Sequence, residues 1–398
     1  MNYLKLLPEE YTRRIQILQE EINKHQLDLI IGFSNLLELG IVRYYCGFAP
    51  VNESAAILIP AQGEVIVVSG QASYDYCLIQ NVLPGSRTVI VPEVGEVSGF
   101  EYDTQGQMDF SQLFRQIREI YGTMKRIGFF GRLIFPTIIM DKVKATFPEA
   151  SILDADDIHY SQRLRKSPGE IEILKANWHM VSQMFENVVP QIQVGMTERQ
   201  VEGLFSAEMM RLGAESCVQS FSPMVATGPE NSYISMCRNT LRQIKAGEIL
   251  NLAAGVCYEG YNGIICSPLV LGQVPDKIRS AVLCAYDALN CASEKMRPDT
   301  PCDTVLKTYT DYLTKYGYIE YCPYGSLHST GMLECEAPVF TTKNRRLIEE
   351  NMTLCIDAYF KGMPWGSFRI EDCYLITGSG AKRMTTYNDR TIPKLFGK

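Results

Sequence analysis

Apolar and polar positions in the first 25 residues follow a helical period. Tyr11, Ile15, Leu18 and Ile22 fall on one stripe, so a helix is expected over residues 9–25. Short β-rich runs bounded by turn residues follow at 27–32, 54–59 and 64–69. A helical stretch near 72–80 leads to strand-like 88–91 and 126–130, then to a helix near 137–146 and a strand at 151–153. Strands alternating with helices predict an α/β domain over residues 1–162.

The pattern changes at Arg163-Leu-Arg-Lys-Ser-Pro-Gly-Glu-Ile171. Ser167 suits an N-cap, Pro168 the first helical turn, and Glu170 completes a capping box, so a helix should begin there. Ile171, Leu174, Trp178, Val181, Phe185 and Val188 then repeat at spacings of three and four, one buried stripe. Helices at 198–212, 276–296 and 304–316 alternate with strand-like 217–226, 352–359 and 367–377. Two apolar runs within 249–272 read as a β-hairpin; a loop centred on Tyr258-Glu259 would set Ala253 directly across from Ile264. Residues 163–398 therefore read as an α+β domain of long antiparallel strands with helices outside them.

Composition narrows the function classes. A chain of 398 residues with 46% hydrophobic content can build two cores, and a net charge of −7 argues against a nucleic-acid footprint. No run is long and apolar enough for a signal peptide or a membrane span, so a cytoplasmic protein with no membrane partner is expected. Thirteen cysteines, an odd number with no Cys-x-x-Cys pair, fit scattered reduced thiols better than a disulfide framework or a structural zinc site.

Several short motifs, weak singly and specific in this order, carry a resemblance. They are the boundary segment at 163–171, Ala226-Thr-Gly-Pro-Glu-Asn231, Gly331 with Glu336-Ala-Pro338, and Phe368-Arg-Ile-Glu-Asp372. Together they resemble the pita-bread family of aminopeptidase P, prolidase, methionine aminopeptidase and creatinase. The resemblance implies a creatinase/prolidase-type N-terminal α/β domain, a pita-bread C-terminal domain and a homodimer. In the family's peptidases two divalent metals are held by two hairpin Asp, a His and two Glu. Carried over by position, the Asp pair falls on Ala253 and Ile264, the His on His328, and the two Glu on Asp357 and Glu371. Hydrocarbon cannot ligate a cation, so no metal and no other cofactor is expected, with a single metal on His328, Asp357 and Glu371 as the alternative. The family's two substrate-binding His fall near Met236 and on Cys335. The hairpin Glu of creatinase falls on Cys266.

What remains is a pocket of His328, Glu371, Asp357 and Cys266. His328 suits general acid/base work, with retention for a hydrogen bond as the plainer role. Cys266 is a candidate nucleophile or a small core residue. Tyr258 and Tyr261 could wall a pocket for a small-molecule substrate. Glu334 and Glu336 are expected on a strand, pointing away from Cys335. The reading is a metal-independent C–N hydrolase of a small guanidino, amide or cyclic amidine compound. Alternatives are an inactive ligand- or partner-binding protein and a residual metal-dependent Xaa-Pro aminopeptidase or dipeptidase.

Overall fold

The computed structural model describes residues 4–96, 107–215, 222–232, 237–323, 325–341, 343 and 345–397. The chain divides into two compact units, Lys5–Arg163 and Leu164–Lys398, with Leu4 belonging to the second.

The first unit carries helices α1 (Pro8–Lys24), α2 (Gly40–Cys46), α3 (Tyr74–Gln80), α4 (Phe110–Tyr121), α5 (Thr137–Thr146) and α6 (Asp156–Leu164). Its six strands are β1 (Leu29–Ser34), β2 (Ala55–Pro60), β3 (Ile66–Ser69), β4 (Arg87–Ile90), β5 (Arg126–Phe130) and β6 (Ser151–Asp154), in the order β4-β3-β2-β1-β5-β6. The sheet is mixed: β2 runs antiparallel to β1 and β3, while β5 is parallel to β1 and β6. Leu29, Ile31 and Phe33, alternate residues of β1, pack with Phe110, Leu113 and Phe114 of α4 in one apolar cluster, as the two-residue period of a strand requires.

In the second unit the capping box at the head of α7 (Pro168–Val188) forms as the sequence predicts. Ser167 Oγ accepts from Glu170 N at 3.3 Å, and Glu170 Oε2 accepts from Ser167 N at 2.9 Å. The other helices are α8 (Glu198–Arg211), α9 (Gly228–Asn231), α10 (Asp276–Ser293), α11 (Cys302–Lys315) and α12 (Tyr387–Phe396). An eight-stranded sheet is built from β7 (Met224–Thr227), β8 (Ile249–Tyr258), β9 (Tyr261–Val270), β10 (Gly325–Ser329), β11 (Glu336–Phe340), β12 (Thr353–Met363), β13 (Gly366–Thr377) and β14 (Gly380–Arg383). Their order is β11-β10-β12-β13-β9-β8-β7, with β14 on β13. Of the strand expected at 217–226, residues 217–221 lie outside the described ones.

Each long strand has two different faces. Leu354, Ile356, Ala358 and Phe360 of β12 and Phe368, Ile370, Tyr374 and Ile376 of β13 pack into one cluster with α10 and α11. The intervening residues, Cys355, Asp357 and Tyr359 with Arg369, Glu371 and Cys373, therefore share the opposite face. No helix among the described residues is long and apolar enough to cross a membrane.

The hairpin β8–β9 turns one residue later than expected. Tyr258 pairs with Tyr261 around a two-residue turn, Glu259-Gly260, whose φ angles of 50° and 81° are those of a type I′ turn. The register therefore shifts by two residues: Ala253 pairs with Cys266 and Ile264 with Gly255. Ala253 and Ile264 are diagonal neighbours on one face, not an opposed pair.

Candidate functional site

Register places the site residues in two adjacent rows across the second sheet. In one, Asp357 pairs with Glu371, Glu371 with Cys266, and Cys266 with Ala253. In the other, His328 pairs with Cys355, Cys355 pairs with Cys373, and the Cys373 thiol reaches Ile264 O at 3.5 Å. The five positions to which the resemblance assigns the family's ligands thus share one face, although two of them carry only hydrocarbon.

Glu371 is the hub, fully buried. Its Oε2 accepts from Cys266 Sγ at 3.2 Å and lies 3.7 Å from Arg369 Nη1, and its Oε1 lies 3.4 Å from His328 Nε2. The other imidazole nitrogen, Nδ1, lies 3.1 Å from Ser329 O, so it carries a hydrogen and Nε2 is the nitrogen turned to the carboxylates. Glu334 Oε1 approaches the same Nε2 at 3.7 Å.

Charge and burial compete here. Burial alone would raise the carboxyl of Glu371, but His328 and Arg369 beside it hold it below the usual range. Burial likewise opposes a charged His328, yet Cys335, Glu371 and Glu334 around it raise its pKa well above the ordinary value. Burial and the Glu371 charge push Glu334 up to about 8. The surroundings thus favour the charged forms of His328 and Glu371 and the neutral form of Glu334.

The remaining expected residues separate. Cys266 is fully buried and its thiol is pushed well up by burial and by Glu371, so it serves as a hydrogen-bond donor and is unsuited to be a nucleophile. Tyr258 and Tyr261 do not wall the site, because their strand parity turns them to the opposite face. The Tyr261 hydroxyl donates to Glu170 Oε1 at 2.9 Å, and the Tyr258 hydroxyl accepts from Leu4 N at 3.0 Å. Asp357 is buried next to Glu371. Cys335 is exposed, with its thiol beside His328. Met236 lies outside the described residues.

Glu334 was expected to point away from Cys335 on a strand. Strand β11 instead starts at Glu336, so strand alternation does not govern Glu334, and it reaches His328. Glu336 ties the bend together, its Oε1 accepting from Met332 N at 2.6 Å and Leu333 N at 3.1 Å. Sequence reasoning also passed over Cys355. Its spacing of two from Asp357 was the available signal, since residues i and i+2 of a strand share a face.

A creatinase/prolidase-type domain followed by a pita-bread hydrolase domain is the class these two units define. Residues 172–378 match the family profile "Metallopeptidase family M24", and residues 14–165 match "Creatinase/Prolidase N-terminal domain". The first match spans more than half of the chain, and the chain belongs to metallopeptidase family M24. It is 25% identical over 343 residues to an Xaa-Pro dipeptidase of Pyrococcus horikoshii, covering 85% of this chain and 94% of that protein. To an Xaa-Pro dipeptidase of Lactobacillus helveticus it is 26% identical, covering 61% of this chain and 66% of that one. Among solved structures, a prolidase from Thermococcus sibiricus superposes with a TM-score of 0.82 at 20% identity, covering 94% of this chain and 96% of that one. This last likeness shows the fold alone.

The two-metal centre implied by the resemblance does not fit the residues present. Ala253 and Ile264 are buried and offer no donor atom. The Arg369 guanidinium and the Cys266 thiol occupy one oxygen of Glu371, where a second cation would need free anionic oxygens.

Proposed function

We propose that this protein hydrolyses a C–N bond in a small dipeptide-like compound of the Xaa-Pro class, at the face formed by His328, Glu371 and Glu334. The relatives named as Xaa-Pro dipeptidases favour this substrate class over a guanidino or cyclic amidine compound. The observation that carries the reading is the position of Glu334, whose side chain is 14% exposed at the edge of a cluster in which His328 and Glu371 are 4% and 0% exposed. A carboxyl group there is within reach of a substrate, while the buried pair behind it fixes its orientation. Hydrolysis adds the water oxygen to the carbonyl carbon and breaks the C–N bond. Glu334 passes a proton to the leaving nitrogen and recovers one from the water. His328, read from the sequence as the acid/base, is a positioning residue in this arrangement.

The test is proline release from Xaa-Pro dipeptides by the full chain, with metal removed and after separate additions of Mn2+, Co2+ and Zn2+. Proline release is expected, and Glu334→Gln should lower kcat by about 10²–10⁴, the usual contribution of a positioned acid or base. Absence of proline release under every condition overturns the assignment, as does an unaffected Glu334→Gln enzyme. The hydrocarbon at Ala253 and Ile264 favours a second reading, a protein that binds such a compound without turning it over. Recovery of intact dipeptide after prolonged incubation with binding-competent protein would distinguish it. We also propose that the protein is a homodimer located in the cytoplasm, measurable by light scattering and by fractionation.

A further inference from the structure

We propose that His328, Cys355 and Glu371 form a site for one borderline-soft divalent cation of the Zn2+ type, with a thiolate as a ligand. Among the described residues these three offer one ligand atom each, all within 4.8 Å of one another, and all three residues are buried. Bonds of about 2.0–2.3 Å in a tetrahedral zinc site set its donors roughly 3.3–3.8 Å apart, so closure around an ion needs contractions of about an ångström.

Three independent features prepare the donors. Nδ1 of His328 is directed to Ser329 O, which leaves Nε2 as the ligating atom, the arrangement that orients most metal-bound imidazoles. Glu371 Oε1 is buried and turned to His328 Nε2 at 3.4 Å, so a nitrogen and an oxygen donor already face each other in the cluster, while Cys266 and Arg369 engage the other oxygen. Cys355 Sγ lies 3.2 Å from Cys373 Sγ, so the Cys373 hydrogen can turn from Ile264 O, 3.5 Å away, to a Cys355 thiolate.

Charge balance sets the number of ions. Ion entry expels the Nε2 proton of His328 and the thiol proton of Cys355. A thiolate, a carboxylate and a neutral imidazole then neutralise one dipositive ion. Sulfur in the set selects Zn2+ or Co2+ over Mn2+ and Mg2+, which prefer oxygen shells. Asp357, at a position corresponding to a family ligand, is not in this donor set, and Cys355 stands at a position to which the family assigns no ligand. The site is therefore a different one, in ligand type and in number of ions. It leaves Glu334 outside the set, and its test does not require turnover.

The experiment titrates metal-free, full-length protein with Co2+ under a non-chelating reductant. The expected result is saturation at one equivalent, with a near-ultraviolet thiolate-to-cobalt charge-transfer band that one equivalent of Zn2+ abolishes. Cys355→Ser should remove the band and weaken Zn2+ binding at least about 100-fold, the upper end of losses on removing an outer-shell partner. Cys291→Ser should leave both unchanged. Should Cys355→Ser fail to fold, zinc X-ray absorption on the unaltered protein decides through the presence or absence of a sulfur scatterer. Saturable cobalt binding without the charge-transfer band, a zinc shell free of sulfur, saturation at two equivalents, or no saturable binding each overturns the proposal.

Discussion

Replacing Glu198 by alanine should destabilise the second unit more than loss of most core methyl groups would. This carboxylate, fully buried at the first turn of α8, accepts five hydrogen bonds. Oε1 takes Thr227 N at 3.1 Å, Thr227 Oγ1 at 2.8 Å and Asn231 Nδ2 at 2.6 Å; Oε2 takes Thr240 N at 3.0 Å and Thr240 Oγ1 at 2.6 Å. It thereby pins the 227–231 segment, similar to one that enters the site in the family, to a helix and to the loop before β8. In Glu198→Ala the hydroxyls and the Asn231 amide can turn elsewhere, whereas the two backbone N–H groups cannot. At about 1–3 kcal/mol for each unsatisfied donor, the loss is about 2–6 kcal/mol. For a unit of this size that corresponds to a fall in Tm of roughly 5–20 °C. Glu198→Gln should cost about half as much, because one oxygen still accepts while the new amide opposes one fixed N–H. Both tryptophans, Trp178 and Trp365, lie in the second unit, so tryptophan fluorescence during urea unfolding reports on it alone. A loss under 1 kcal/mol for the alanine variant, or equal losses for both variants, would refute the reasoning.

Other perturbations test other parts of the molecule. Gly263→Ala should destabilise by about 1–3 kcal/mol in the same fluorescence assay. A Cβ there would press on Asn177 Oδ1 and lie 2.8 Å from Trp178 Cδ1, and Asn177 is fixed by bonds to Val256 O and Tyr261 O. In the first unit, burial and Arg163 hold the pKa of His159 well below its usual value; Arg163 Nη1 donates to its Nε2 at 2.7 Å and the Tyr45 hydroxyl lies 3.0 Å from its Nδ1. The unfolded chain therefore binds a proton below about pH 6.5 that the folded unit refuses, so stability is intact above that pH and falls beneath it. From pH 7 to 5 the fall should be roughly 2 kcal/mol. Hydrogen exchange in β1 and β5 should show this slope, and a His159→Gln protein should lose it. Glu336→Gln weakens both the buried contact to Lys166 Nζ at 3.5 Å and the bend it organises, and should lower the urea midpoint in tryptophan fluorescence without changing Zn2+ stoichiometry.

The elements that could be read from the sequence are those whose local chemistry and tertiary role agree. Helix α7 begins where Ser167 and Glu170 predict, and the expected strands at 126–130 and 367–377 correspond to β5 and β13 within a residue. The hairpin was legible as a hairpin but not in register, because Glu259 takes a positive φ that its residue type does not announce. Strands β10 and β11 are short, and β10 carries a bulge between His328 and Ser329, so no alternation advertises them. His328 and Glu371 were found by motif. Glu334 was misplaced because the bend preceding β11 breaks the strand period, and Cys355 was passed over because a lone thiol among thirteen carries little information until a neighbouring strand sets an imidazole beside it.

The apolar pair on the hairpin also limits which substitutions this chain tolerates. A single change of Ala253 or Ile264 to aspartate would bury a carboxylate at a site 3% or 0% exposed, several kcal/mol uphill unless an ion arrives to neutralise it. Set against a total folding stability of about 5–15 kcal/mol, either single substitution is heavily penalised. With this fold unchanged, the two carboxylates of a dinuclear centre could be introduced here without that cost only together and with their ions bound.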